Sequence, residues 1–339
     1  MRVKNTVKRT RQFTRPRAFC WTLAIFAICS GFAQADEIKD VFTLSCEPVH
    51  EQILVGEPLF VKVVIENRSG SAQTIGNLSS GRQLHELPWR LWIAAGEGPW
   101  VPVNLSRIAN SVVRRKGIPT KPAVLPAGGQ LKEYFTFWFS AQGDLPKERS
   151  LIFRASGRYR YRIALSVALG SREAPRREVI GEGEVTVSGD AKGFSEMVRG
   201  LRGIMFDDSR VPYRNVEQLD SLLAVLKDSP YAKFVKWQRI RSYLLDGVGK
   251  NGIDALEDIG AAEEAVILST CCEDLLSDAE LKESPMHRDA GAMKGMLLLL
   301  GKRKRDAPEA YEEARKIYET LMATYGYSRE LNTLKQWAF

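Results

Sequence analysis

The sequence predicts an α+β chain in separate domains, an N-terminal antiparallel β-sandwich followed by a C-terminal all-α array of helical hairpins. Three observations carry this. In the first half, apolar residues alternate with period two between Gly- and Pro-rich turns. After residue 190 Gly and Pro thin out, and apolar spacing becomes three and four. The first 35 residues resemble neither half. The expected units are 1–35, a sandwich over 36–190, a linker over 191–213 and a helical region over 214–339.

Residues 1–17 are basic, with Arg2, Lys4, Lys8, Arg9, Arg11, Arg15 and Arg17 and no acid. An apolar stretch follows from Ala18 through Trp21, Ile25 and Ile28 to Phe32, and ends at Ala33-Gln34-Ala35. Charged start, apolar middle and small-x-small end are the parts of a cleavable export signal. Its uncharged run is near the lower limit for a membrane span, so retention as an anchor is the alternative. The whole chain carries +8 and this segment +7, which leaves +1 for the rest. Near neutrality and export both argue against nucleic acid.

In the first half, Leu59, Val61, Val63 and Ile65 fall on one side of a strand, with Lys62 and Glu66 on the other. Arg158, Arg160 and Arg162 alternate with Tyr159, Tyr161 and Ile163. Further strands are expected at 89–94, 134–139 and 183–187. Asn67-Arg68-Ser69-Gly70, Gly96-Glu97-Gly98-Pro99 and Ala127-Gly128-Gly129 supply turns.

The segment Ser156-Gly157-Arg158-Tyr159-Arg160-Tyr161 resembles the Gly-x-Tyr corner of immunoglobulin-like domains. That resemblance implies that Tyr159 bonds back to the preceding corner. Tyr161 stands where antibody domains place their second disulfide cysteine, so the antibody-type bridge is absent. Val55-Gly56-Glu57-Pro58 before a long strand is similar to the first hairpin of exported bacterial immunoglobulin-like domains.

In the second half, Val216, Leu219, Leu222, Leu223 and Leu226 share one helical face, with Asn215 and Gln218 as a capping pair. Ser229-Pro230 starts a helix carrying Phe234, Trp237, Arg241 and Leu244. Another helix is expected from Ile253 towards Cys272. Ser284-Pro285 opens the next, closed by Gly301, and Pro308 opens the last, closed by Gly326. Tyr311, Ala314, Tyr318 and Leu321 resemble the second helix of a tetratricopeptide repeat. No clean repeat period is visible, so an irregular helical bundle is the alternative.

Catalytic patterns are missing. The three histidines His50, His85 and His287 are far apart, and His85-Glu86-Leu87-Pro88-Trp89 lacks the second histidine of a zinc protease. No Gly-x-Ser-x-Gly occurs. Cys46 with His50 lacks an orienting third group and reads as a strand flank. Gly247-Val248-Gly249-Lys250 lacks the upstream glycine of a phosphate loop, where Leu244 stands, and reads as an interhelical turn. Glu263-Glu264 and Glu312-Glu313 read as solvated helix faces. No enzyme, cofactor or metal site is therefore expected.

Cys46, Cys271 and Cys272 lie beyond the signal. Either Cys46 pairs with one of the other two, or all three are buried thiols. Asn67-Arg68-Ser69, Asn77-Leu78-Ser79 and Asn104-Leu105-Ser106 match the glycosylation pattern, which matters only in a eukaryotic host.

The expectation is thus an exported, non-enzymatic binding or scaffolding protein that recognises a protein partner in the cell envelope. Trp237, Tyr318 and Tyr325 are its candidate partner-binding residues, with core packing as the alternative. Lys302-Arg303-Lys304-Arg305 reads as a solvated loop or a contact to an anionic surface. One alternative is a carbohydrate or cell-wall module using Trp89, Trp92, Trp100 and Trp138, which otherwise belong to the core. Another is a protease inhibitor acting through the 111–126 loop.

Overall fold

The computed structural model describes residues 41–78, 89–103, 121–141, 149–167, 177–205, 214–246, 262–302, 304–326 and 328–339. Among the described residues, strands fill the N-terminal half and seven α-helices the C-terminal half. The proposed export signal, His85, Asn104, residues 111–120 of the inhibitor loop, Gly247–Lys250 and Arg303 lie outside the described residues.

Strands β1 (Phe42–Pro48), β3 (Leu59–Asn67) and β8 (Gln130–Phe137) form one antiparallel sheet in the order β1-β3-β8. A second sheet has the order β2-β12-β11-β5-β6. Its members are β2 (Gln52–Leu54), β5 (Trp89–Ala95), β6 (Val101–Pro102), β11 (Gly157–Val167) and β12 (Arg177–Ser188). β2 runs parallel to β12, and the other pairs are antiparallel. Two small pairs flank them: β4 (Gln73–Leu78) with β7 (Lys121–Leu125), and β9 (Phe139–Ala141) with β10 (Arg149–Leu151).

The inner sides of both sheets supply one core. Leu59, Val61, Val63 and Ile65 are buried there as their alternation requires, opposite Tyr161, Ile163 and Leu165. Gly183 in β12, the cross-strand partner of Tyr161, makes room for that ring, since a Cβ there would overlap the Tyr161 hydroxyl. That hydroxyl donates across the core to the Cys46 carbonyl at 3.3 Å. Tyr161 thus joins the two sheets. Gly183→Ala should cost about 1–3 kcal/mol of stability by overpacking, read from urea unfolding. The Tyr159 hydroxyl donates to the Ala155 carbonyl at 3.0 Å, the corner bond that the sequence resemblance implies.

Asn67 closes the far end of β3. It is fully buried, and its Nδ2 donates to the carbonyls of Ser71, Leu125 and Pro126 at 2.8–3.0 Å. Its Oδ1 accepts from the Ser69 amide and hydroxyl. The first glycosylation triplet is therefore a structural tie between β3 and β7. Asn67→Ala should lose roughly 2–3 kcal/mol, because buried carbonyls are left without donors. Denaturant titration would measure the loss.

The helices are α1 (Phe194–Met205), α2 (Arg214–Val225), α3 (Ala232–Asp246), α4 (Ala262–Ser277), α5 (Pro285–Leu299), α6 (Pro308–Tyr325) and α7 (Arg329–Ala338). α5 starts as expected, with Ser284 Oγ accepting from the His287 amide and Pro285 in the first turn. Gly301 and Gly326 end α5 and α6 in left-handed conformations, φ 67° and 73°. The expected linker holds α1, and the C-terminal segment forms α7 behind a Ser328 cap. α3 packs on α4, α5 and α7, while α5 packs on α6 and α7.

The strands and the helices also share apolar contacts. Phe60, Tyr134, Trp138, Phe139 and Leu151 belong to the same apolar core as the helices. Phe60 of β3 and Tyr134 of β8 point away from the sandwich interior, and the helices cover them. The two halves therefore share a desolvated seam.

Candidate functional site

The seam is built first by α3. The Tyr231 hydroxyl, just before that helix, donates to the Val55 carbonyl at 2.7 Å and accepts from the Ala191 amide at 3.2 Å. Lys233 in its first turn lies 3.5 Å from Glu57. These contacts pin the helix start against the approach to β3. One turn on, Trp237 stacks on Trp138 at 5.9 Å between centroids and meets Phe60 edge-on at 5.3 Å. Phe234 packs against Trp138 at 5.8 Å, and Trp138 Nε1 donates to the Gly56 carbonyl at 2.8 Å. Farther along, Tyr134 packs on Tyr325 at 5.7 Å. Such aromatic pairs add to what area burial alone supplies.

A buried group of charges lies beside the aromatics. Arg288 of α5 donates from Nε to Asp289 Oδ1 at 2.8 Å and from Nη2 to Glu330 Oε2 of α7 at 3.2 Å. Arg241 of α3 lies 3.8 Å from Asp289 and 3.7 Å from Glu330, with its guanidinium over the Trp237 ring. Trp237 Nε1 donates to Asp289 Oδ2 at 2.8 Å. Glu133 of β8 is buried too, within the electrostatic reach of Arg288 and Glu330.

Burial pushes the Glu133 carboxyl up to about 8, against an opposing pull from Arg288. Burial also raises Asp289, partly offset by Arg288. For Glu330 burial alone would do the same, but Arg288 and Arg241 override it and hold the carboxyl low. Arg288 is raised, since Asp289 and Glu330 outweigh its own desolvation. Nearby, the Tyr325 hydroxyl bonds His287 Nδ1 at 2.9 Å, and burial lowers that imidazole.

A second ion group ties α2, α3 and α4. The fully buried Arg239 pairs with Asp220 and donates from Nη2 to both Glu264 oxygens at 2.7–2.9 Å. Tyr243 donates to Glu264 as well. Glu264, read from sequence as solvated, is therefore a structural anion.

All three residues expected to meet a partner are buried. Trp237 is 1% exposed, Tyr325 3% and Tyr318 8%. The first two pack against the chain's own sheet, and Tyr318 packs beside Phe339 at 5.4 Å. In this structure the aromatic face of the helices is occupied from within the chain. Of the charge run, Lys302, Lys304 and Arg305 are exposed, and Arg305 pairs with Asp306 at 3.3 Å.

The tryptophans of the sheets divide. Trp138 is core, and Trp89 is half-buried against Phe135 at 5.0 Å. Trp92 and Trp100 are half-buried at the outer side of the five-stranded sheet. There Arg160 and Arg162 stand 5.1 and 4.3 Å from the Trp100 ring centre. Arg90, Arg158, Arg160 and Arg162 pair with Glu178, Glu184, Glu97 and Glu182. Ile180 on the neighbouring strand is 49% exposed.

Cys46, Cys271 and Cys272 are free and buried, which settles their alternative against a disulfide. Burial pushes the Cys46 and Cys272 thiols up to about 12, far from a reactive thiolate. Among the described residues, no group of three or more His, Cys, Asp or Glu converges to hold a metal ion. No described helix is long and apolar enough to cross a membrane.

No family model and no curated protein matches the chain. Solved structures give loose overlaps. The CARDB domain of a Pyrococcus furiosus protein, in complex with di-metal ions, is 12% identical over 43% of this chain and 87% of that one, with a TM-score of 0.22. A β-glucosidase from Listeria innocua is 16% identical over 44% of this chain and 16% of that one, with a TM-score of 0.22. A β-glucosidase from Erythrobacter marinus is 13% identical over 43% and 15%, also at 0.22. This chain thus spans about one sixth of each glucosidase. Overlaps this loose assign neither fold family nor activity.

Proposed function

We propose that this protein is an exported, non-enzymatic recognition scaffold of the cell envelope that binds a protein partner. In this reading an immunoglobulin-like sandwich is locked to a tetratricopeptide-like helical array. The signal pattern of residues 1–35 supports export. The Tyr159 corner bond supports the sandwich class, and the stacking of α3, α5 and α7 with α4 and α6 supports the array.

The observation that carries the reading is the seam. It fixes strands and helices in one arrangement and uses Trp237 and Tyr325 to do so. Recognition then moves from those residues to the outer side of the five-stranded sheet, with Trp92, Trp100, Arg160, Arg162 and Ile180. Trp and Arg are the side chains that dominate protein interfaces, and a rigid sheet presents them without an ordering cost.

The test is affinity capture from envelope extract with the full chain and with a doubly substituted Ile180→Glu, Arg162→Glu chain of unchanged circular dichroism. A partner retained by the first and lost by the second is the expected result. Equal capture by both would overturn the assignment of the face.

A carbohydrate module remains a second reading, because two tryptophans lie at that surface. The guanidiniums of Arg160 and Arg162 already stand over Trp100, where a sugar ring would stack. Glycan-array binding abolished by Trp92→Ala would favour it over a protein partner.

A further inference from the structure

The outer side of the five-stranded sheet carries its charge in two stripes. Arg158, Arg160 and Arg162 project from β11, and Glu178, Glu182 and Glu184 from β12, each alternating with inward residues. The antiparallel register sets Arg160 against Glu184 and Arg162 against Glu182. Arg158 pairs with Glu184, and Arg162 lies 2.6 Å from Glu182. Arg90 of β5 reaches Glu178 at 3.0 Å, and Arg160 reaches Glu97 at 3.4 Å. Four guanidiniums meet four carboxylates, so this set has no net charge. Ile180 stands between Glu178 and Glu182 on the same side of β12 and is 49% exposed.

These pairs are open to water, with the Arg158 side chain 67% exposed and that of Glu182 50%. Exposed ion pairs contribute about 1 kcal/mol or less to a fold, so the ladder is not needed to hold the sheet. A partner of one charge sign would gain nothing from a neutral face. What the two stripes complement is their own pattern. A two-fold axis along the strands, midway between β11 and β12, carries the arginine stripe of one copy over the glutamate stripe of the other, and the reverse. Rotation about that axis keeps each residue's height along the strands, so Arg162 of one copy faces Glu182 of the other, and Arg160 faces Glu184. Both Ile180 side chains are covered at the same time. A two-fold axis across the strands would instead set arginines over arginines. Sheets packed face to face lie about 10 Å apart, within reach of Arg and Glu side chains from both sides. Self-complementarity of this kind is what an isologous interface requires.

We propose that the partner of this face is a second copy of the chain, docked so that β11 of each copy lies over β12 of the other. This rests on the assignment of recognition to the outer side of the sheet. Trp92 and Trp100, on the far side of β11 from β12, border the contact.

The test co-expresses two differently tagged copies of the full chain, captures one and quantifies the other. Unsubstituted copies should capture each other. Arg162→Glu in both copies, or Glu182→Arg in both, should cut capture ~10-fold or more, because each sets like charges face to face twice per dimer. One copy with Arg162→Glu and the other with Glu182→Arg should restore capture, although each chain keeps the mismatch within its own sheet. Mixing does not repair a folding defect. The chain carrying both substitutions keeps an opposite pair within its sheet and should capture itself. Unsubstituted copies that do not capture each other would overturn the proposal, whether or not the variants fold. So would capture that neither single substitution reduces, or a mixed pair of unchanged circular dichroism that recovers nothing. A different envelope protein held by the unsubstituted chain and lost with Ile180→Glu, Arg162→Glu, without self-capture, would exclude the second copy and leave the face assigned.

Discussion

Replacing Trp237 with alanine should remove roughly 3–5 kcal/mol of stability, the range for truncating a large buried aromatic. The loss should extend beyond α3. Trp237 is 1% exposed, stacks on Trp138, meets Phe60 edge-on and gives its indole N–H to Asp289. The substitution opens a cavity between strand and helix and also leaves a buried carboxylate one donor short. Trp237→Phe keeps most of the volume and loses the donor, so it separates the two terms. It should cost about 1–3 kcal/mol, the penalty for a buried acceptor without its donor. Urea unfolding of the three proteins measures both.

The second large effect is expected at Arg288. Arg288→Met keeps a long side chain and removes the charge. Asp289 and Glu330 then share only Arg241, which lies at 3.8 and 3.7 Å from them. Breaking a buried ion pair by removing one partner typically costs about 3–5 kcal/mol, and this group has no exposed member to relax into water. The penalty should shrink as pH falls, because protonated carboxyls no longer need the guanidinium. A penalty independent of pH would assign the loss to packing alone.

Much of this architecture can be read from local pattern. The alternation of Arg158, Arg160 and Arg162 with Tyr159, Tyr161 and Ile163 gives β11 and its buried side, and Tyr159 makes the bond that its corner resemblance implies. Ser284-Pro285 and the pair Pro308 with Gly326 mark α5 and α6, because caps and left-handed ends are local chemistry. α1 is hidden by the glycines at 193, 200 and 203, which make its segment look like a linker.

The seam is hidden for a different reason. Phe60 and Tyr134 lie on the outward side of strands, where alternation alone places solvent, and Trp138 lies between β8 and β9. They are buried only because α3 and its neighbours cover them. The same holds for charge. Arg241, Arg288, Asp289 and Glu330 lie on three helices, and no local pattern shows that they meet. A pattern of period two or 3.6 says which face a residue shares, and nothing about what packs on that face. Trp237 and Tyr325 lie on such faces, and aromatic residues of the chain's own N-terminal half pack against them.

The central structural claim is that strands and helices form one cooperative unit through this seam. Native-state amide exchange across a denaturant series tests it most directly, comparing peptides from β3 and β8 with peptides from α3 and α5. The account predicts one common opening free energy for all four, lowered together by Trp237→Ala. Strand peptides that keep their protection while helix peptides lose theirs would contradict it, and would restore two independent domains.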